Sequence, residues 1–196
     1  MKTEGSLFNK ISSIYGLFFN IQTKHFTNIF STIKNELDLS IYENIIDIGC
    51  GTGALCNVLY EMGLYVTGID PAKGMIEISK NKAKYKEIKF IEANVLTGLP
   101  FEDKSFDVSI SSFVAHGLNK HERQKMYEEM KRITKHIVII YDYSQHRGLV
   151  TDIAEWLEGG DYFNFIKTIE QEMNEKFIDV KIVKANIRSN LYVAKL

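Results

Sequence analysis

A stretch of nine residues holds the densest chemical signal in this chain. Ile45-Ile46-Asp47-Ile48-Gly49-Cys50-Gly51-Thr52-Gly53 reads as an apolar strand running into a glycine turn. Glycines at alternate positions leave no β-carbons in the way, so a ligand can lie close to the backbone. Seventeen residues beyond Gly53, after the apolar run Leu64 to Ile69, stands Asp70. A carboxylate at that place can accept both hydroxyl hydrogens of a ribose. A tight turn followed by a helix-capping acid would explain each feature alone. The two together point to a cofactor that carries a nucleoside.

Two cofactor classes use such a turn. Gly49-x-Gly51-x-x-Ala54 formally fits the dinucleotide fingerprint. Asp47, two residues before the first glycine, weighs against a dinucleotide, whose pyrophosphate has no use for an acid there. A carboxylate in that position suits a ligand with a cationic end, such as the ammonium of an amino acid. A chain of 196 residues also leaves little room for a separate substrate domain. The expectation is an adenosyl ligand with an amino-acid tail.

The elements that must position these groups alternate along the chain. Ile45 to Ile48, Leu64 to Ile69, Ile88 to Ile91, Phe106 to Ser112 and Ile137 to Tyr141 read as strands. Ala54 to Met62, Ala72 to Lys84 and Lys120 to Lys135 between them read as helices. Such alternation predicts parallel strands with crossover helices on both faces. Leu149 to Leu157 and Tyr162 to Phe177 read as further helices. Val180 to Ala185 and Leu191 to Ala194 then predict an antiparallel hairpin with its turn at Arg188 to Asn190. Ahead of all this, Leu7 to Phe19 and Phe26 to Leu37 show helical spacing. The division expected is a helical extension or cover over 1–40 and a single binding domain over 41–196.

Ligands in open α/β sheets lie beyond the carboxyl ends of the strands. That rule marks Ser111, Ser112, Phe113 and His116 after the fourth strand, and Asp142, Tyr143 and Ser144 after the fifth. His116 reads either as a pocket wall or as a general base. Asp142 reads as lining or as the cap of a helix near Arg147, and not as a catalytic group. The other histidines, His25, His121, His136 and His146, have no partners at metal spacing, and no metal site is expected. Trp156, Tyr162, Phe163 and Phe165 cluster before the hairpin and suit an apolar or planar substrate, or plain core packing.

Composition narrows the function classes. Lys plus Arg total 24 against 25 for Asp plus Glu, a net charge of -1, which lacks the basic excess of a general nucleic-acid binder. The lysines at 80, 82, 84, 86 and 89 read as a solvated helix end. Cys50 and Cys56 form no CxxC or ligand spacing and suit a reducing cytoplasm, with Cys56 a small core residue. No window approaches 18 uninterrupted apolar residues, so no membrane span is expected.

Asp47-x-Gly49-x-Gly51-x-Gly53 with Asp70 resembles motif I and the next acidic position of class I S-adenosylmethionine-dependent methyltransferases of the small-molecule type. Phe90-Ile91-Glu92-Ala93-Asn94 and Leu99-Pro100-Phe101-Glu102-Asp103-Lys104-Ser105-Phe106-Asp107 are similar to that family's "GDA…LPF.D.SFD" segment. The resemblance runs over about residues 40–145. It implies a three-layer, Rossmann-like α/β fold with a seven-stranded, mostly parallel sheet. The implied strand order is 3-2-1-4-5-7-6, with the last strand antiparallel and helices on both faces. The implied cofactor is S-adenosyl-L-methionine, with S-adenosyl-L-homocysteine as product, and the implied partner is a small-molecule acceptor.

The same resemblance implies roles. Asp47, Gly49, Cys50, Gly51 and Gly53 would form the turn at the methionine end. Asp70 and Pro71 would lie at the ribose, Met75 and either Asn94 or Val95 at the adenine, and Ser111 beyond the fourth strand. Asn94 departs from the family's usual Asp; its side-chain oxygen can accept the adenine amine without charge. Tyr15 in the leading helix would cover the amino-acid end, or simply pack. His116 stands where many members carry a His beside the methyl donor. Leu7-Phe8-Asn9-Lys10-Ile11 to Tyr15 is similar to the start of ubiquinone/menaquinone methyltransferases, a likeness that names no substrate. Without an Asn-Pro-Pro-Tyr-like tetrapeptide, nucleic-acid and protein-glutamine acceptors are disfavoured. The alternatives are a methyltransferase-like protein that only binds the cofactor and an NAD-binding oxidoreductase.

Overall fold

Strands buried on both faces show runs of apolar residues rather than alternation. In β1 (Asn44–Ile48) the last four of five residues are buried, and in β2 (Tyr65–Asp70) the last five of six. The structure is a computed structural model that describes residues 18–146 and 160–196. The chain divides into two compact units, Met1–Leu99 and Pro100–Leu196. The expected leading helix with Tyr15, and the expected helix Leu149 to Leu157 with Trp156, lie outside the described residues.

Among the described residues of the first unit, α1 (Phe19–Ile33) comes first and buries Phe19, Phe26, Ile29, Phe30 and Ile33 along one stripe. Phe19, assigned from sequence to the preceding helix, is the first residue of this one. After β1 come α2 (Ala54–Glu61), β2, α3 (Lys73–Lys82) and β3 (Lys89–Glu92). β1 runs parallel to β2 with Asp47 opposite Gly68. β2 runs parallel to β3 with Gly68 opposite Phe90 and Asp70 opposite Glu92. The lysine run is divided: Lys80 and Lys82 close α3, and Lys86 pairs with Glu61.

The second unit contains β4 (Phe106–Ser112), α4 (Lys120–Ile133), β5 (Thr134–Tyr143), α5 (Tyr162–Lys176), β6 (Asp179–Lys184) and β7 (Ser189–Lys195). A capping box starts α4: Asn119 accepts from the Glu122 N–H, and the Glu122 carboxylate accepts from the Asn119 N–H. β4 and β5 are parallel, and β7 is antiparallel to both β5 and β6. All seven strands form one sheet in the order β3-β2-β1-β4-β5-β7-β6, the order implied by the resemblance.

Two boundaries differ from the sequence reading. The helix expected through Lys135 stops at Ile133, and β5 begins at Thr134 with no loop between. Thr134 is β-branched and fully buried, and its hydroxyl donates to the Met130 carbonyl at 2.6 Å and lies 2.8 Å from Ser109 Oγ. That bond turns the chain from helix to strand within one residue. The hairpin turn lies earlier than Arg188 to Asn190. Asn186 Oδ1 accepts from the N–H groups of Arg188 and Ser189 and closes the turn there.

Candidate active site

The glycine turn is built by its own backbone. Gly49, Gly51 and Gly53 have φ of 74°, 52° and 78°, a left-handed conformation that costs side-chain residues energy. The N–H groups of Gly49 and Cys50 both donate to the Ile69 carbonyl at 2.8 Å. The Gly51 N–H donates to Asp70 Oδ2 at 2.9 Å, and the Gly53 N–H to the Cys50 carbonyl at 2.9 Å. Four turn N–H groups are therefore engaged within the protein. A pyrophosphate site needs such groups free and aimed at the ligand. A β-carbon at Gly51 would meet nothing within 4 Å, so the turn is open on that side.

Asp70 closes β2 and fastens the turn. Its Oδ1 accepts from the Ala72 N–H at 2.8 Å while Oδ2 holds Gly51. Burial pushes its carboxyl up, and the two N–H bonds pull it back. Each oxygen keeps a second lone pair, so the carboxylate can still receive hydroxyl donors. Pro71 follows it, exposed.

Asp47 is fully buried on β1. Cys56 donates to its Oδ2 at 3.2 Å, and Oδ1 has no hydrogen-bond partner. Burial raises this carboxyl to about 7; the Cys56 bond lowers it, and the Asp70 charge adds to the rise. Burial also holds the Cys56 thiol well above its ordinary value, which keeps it a donor. Gly68 makes room for this pair: a β-carbon there would meet Cys56 Sγ at 2.8 Å and the Phe90 ring at 2.9 Å. The sequence reading missed Gly68, whose signal was a lone glycine inside an apolar strand. Cys50 is buried beside the turn.

The candidate adenine positions separate. Asn94 caps the 3-10 turn Val95–Thr97 by accepting from the Leu96 N–H at 2.9 Å. Its Oδ1, the atom expected to take the adenine amine, therefore already has a local donor. Val95 is buried and offers only apolar surface at its side chain. Met75 is buried in α3. Ser111 is buried on β4, in register with Ile140.

The second unit joins His116 to Asp142, a pairing the sequence did not reveal. His116 lies in the 3-10 turn Ala115–Gly117 beyond β4, and Asp142 near the end of β5. His116 Nδ1 stands 2.8 Å from Asp142 Oδ1, and the His116 backbone N–H donates to Oδ2 at 3.3 Å. The Tyr143 N–H also donates to Oδ1 at 2.8 Å. A carboxylate only accepts, so Nδ1 carries the hydrogen and Nε2 is left with a lone pair in the neutral ring. Asp142 thus holds the His116 ring and turn; the helix near Arg147 that it was expected to cap lies outside the described residues.

Tyr143 links this pair to further aromatic rings. Tyr143 stands edge-on to His116 at 4.8 Å, Phe113 at 5.2 Å and Tyr162 at 5.1 Å. Phe113 has φ of 53°, held by its N–H bond to the Tyr141 carbonyl at 2.9 Å. Such a backbone costs about 1–3 kcal/mol and persists where its surroundings enforce it.

A cleft of about 580 Å³ opens elsewhere in the first unit, lined by Phe19, Thr23, Phe30, Lys34, Glu61 and Lys82 among others. No residue of the glycine turn lines it. Its Lys86 and Glu61 pair with each other, and Thr23, Thr27 and Ser31 donate to carbonyls of their own helix. Beside the turn, by contrast, Asp47 Oδ1 has no hydrogen-bond partner.

A family profile described as "Methyltransferase domain" matches residues 46–141. A demethylmenaquinone methyltransferase of Paenarthrobacter aurescens is 34% identical over 115 residues, 58% of this chain and 42% of that protein. A ubiquinone/menaquinone biosynthesis C-methyltransferase of Campylobacter jejuni is 32% identical over 110 residues, 52% of this chain and 45% of that protein. The chain thus spans less than half the length of these two relatives. A putative S-adenosyl-L-methionine-dependent methyltransferase from Methanococcus maripaludis superposes with a TM-score of 0.73 at 18% identity. That match covers 95% of this chain and 92% of the other, a likeness of fold.

Proposed function

We propose a reaction for a chain that belongs to the class I S-adenosylmethionine-dependent methyltransferases: transfer of a methyl group from S-adenosylmethionine to a small planar acceptor of the hydroquinone type. The observation that carries the cofactor half is the glycine turn, with its N–H groups engaged internally and Asp47 Oδ1 without a partner. That donor set fits a ligand with hydroxyls and a cationic amino-acid end better than one with a pyrophosphate.

When bound, S-adenosylmethionine supplies a methyl group already activated on a sulfonium. Asp70 receives the ribose hydroxyls on its remaining lone pairs. Asp47 organises the turn, and an ammonium end beside it favours the charged form that burial otherwise disfavours. The carboxamide of Asn94, or the apolar face of Val95, meets the adenine, and Met75, Cys50 and Pro71 border the same site. In the second unit, His116 takes the hydroxyl proton of the acceptor at Nε2, with Asp142 holding the opposite ring nitrogen. Loss of that proton raises electron density on the acceptor ring, where a ring carbon would receive the methyl group as S-adenosylhomocysteine leaves; that carbon would then lose its own hydrogen as a proton and the ring regain its aromaticity. Phe113 and Tyr143, both partly exposed, suit a flat apolar ring. Alignment of reactants in this way can contribute roughly 7–11 kcal/mol.

The hydroquinone class is supported by the names of the two quinone-pathway relatives and by the aromatic rings around His116. Nucleic acid is not an expected partner for a chain of net charge -1. No helix among the described residues is long and apolar enough to cross a membrane. The free, buried cysteines support a reducing place of action, the cytoplasm. Methyl-labelled S-adenosylmethionine tests the reading with reduced 1,4-naphthoquinone as acceptor. Label should move into the organic phase in the presence of both. Retained cofactor binding with no transfer would favour the non-catalytic alternative.

A further inference from the structure

Arg123 on α4 is 1% exposed, yet it is charged. Its Nε and Nη2 make a two-pronged contact with Glu172 at 2.8 and 2.7 Å. Its Nη1 donates to Asp161 Oδ2 at 2.8 Å and to the carbonyl of Leu118. Leu118 closes the turn that carries His116, and Asp161 and Glu172 belong to the start and the body of α5. The guanidinium also lies 5.6 Å over the Phe165 ring, which itself stands 6.4 Å from the His116 ring. Backbones meet here as well: a β-carbon at Gly160 would lie 3.0 Å from Gly117 Cα.

Burying an ion pair brings little net stability, because desolvation offsets the attraction. A pair of apolar side chains would fill the same space. What only the planar fork supplies is direction: one edge grips Glu172 in the body of α5, while Nη1 reaches both Asp161 at its start and the Leu118 carbonyl of the His116 turn. We propose that Arg123 is a positioning residue, whose guanidinium registers the His116 turn against α5 so that the His116–Asp142 pair keeps one orientation. This rests on the reading of His116 as the base.

Two variants test it. Arg123→Met with Glu172→Met removes both buried charges together, so neither is left unpaired. Arg123→Lys keeps the charge but cannot hold Glu172 with two prongs and reach Leu118. The first readout is the imidazole nitrogen NMR spectrum of His116, which needs no acceptor. The native protein should show a single form protonated at Nδ1, and both variants a mixture of the two tautomers. The second is turnover of reduced 1,4-naphthoquinone, where the Met pair should lower kcat about 10²-fold with unchanged cofactor affinity. On a His116→Gln background the Met pair should add no further loss. If His116→Gln alone leaves turnover intact, the base reading fails and the proposal with it. If His116→Gln is impaired while the Arg123 variants keep native turnover and a native imidazole spectrum, the base reading stands and the proposal is overturned. A full additional loss on the His116→Gln background also overturns it.

Discussion

Cys56 donates its thiol hydrogen to one oxygen of Asp47 at 3.2 Å, and the other oxygen of that buried carboxylate has no partner. A weak donor on one side and none on the other leave the charged form poorly solvated. The folded protein therefore holds a proton on Asp47 to about pH 7.

Stability should consequently fall as pH rises. Between about pH 4 and 7 the unfolded chain has lost this proton while the folded chain keeps it, so folding takes up a proton in that window. The loss reaches at most about 4 kcal/mol and levels off above the folded value. Urea unfolding of the free protein at pH 5 and pH 7.5 measures it. Asp47→Asn should remove most of the difference, with a remainder from Asp70, whose carboxyl burial also raises. An unchanged pH slope in the Asn variant would mean that Asp47 ionises normally.

Asp70→Ala removes the acceptor for Gly51 and Ala72 as well as the proposed ribose acceptor. Charge-assisted bonds of this kind contribute about 1.5–3 kcal/mol, so S-adenosylmethionine affinity should drop roughly ten- to a hundredfold. Calorimetry checks this, and an unaltered dissociation constant would move the ribose elsewhere.

Gly68→Ala sets a methyl group against Cys56 Sγ and Phe90, at distances no β-carbon tolerates. Overpacking of this order costs about 1–3 kcal/mol. The urea midpoint should fall while the slope of the transition stays constant. A native midpoint would show that Phe90 can move aside at no cost.

Asp142→Asn tests the pair in the second unit. The amide can present its NH₂ to Nδ1 and so stabilise the wrong tautomer, placing the hydrogen on Nε2. Turnover should fall by about 10²–10⁴-fold, as for loss of a general base, with cofactor affinity spared. A change confined to the acceptor KM would make His116 a pocket wall.

Sequence reading went furthest where chemistry is local. Gly49, Gly51 and Gly53 carry their meaning in a run of five residues, and the buried strands show it in continuous apolar stretches. The resemblance then implied the strand order. Relations that close through space were out of reach. His116 and Asp142 are 26 residues apart, and Arg123 and Glu172 are 49 apart. No periodicity links either pair, since each depends on how helices and strands are stacked. Asn94 illustrates a third case: the resemblance pointed to adenine, while the residue's ordinary local use as a cap, here on the Leu96 N–H, was passed over.

The glycine turn of Asp47 to Gly53, with Asp70, is expected to hold S-adenosylmethionine and not a dinucleotide. Calorimetric titration of the intact chain with S-adenosylmethionine, S-adenosylhomocysteine and NAD in turn tests it most directly. Saturable binding of the first two at one site, with no heat of binding from NAD, is the expected outcome. Tight NAD binding with no response to S-adenosylmethionine would contradict it.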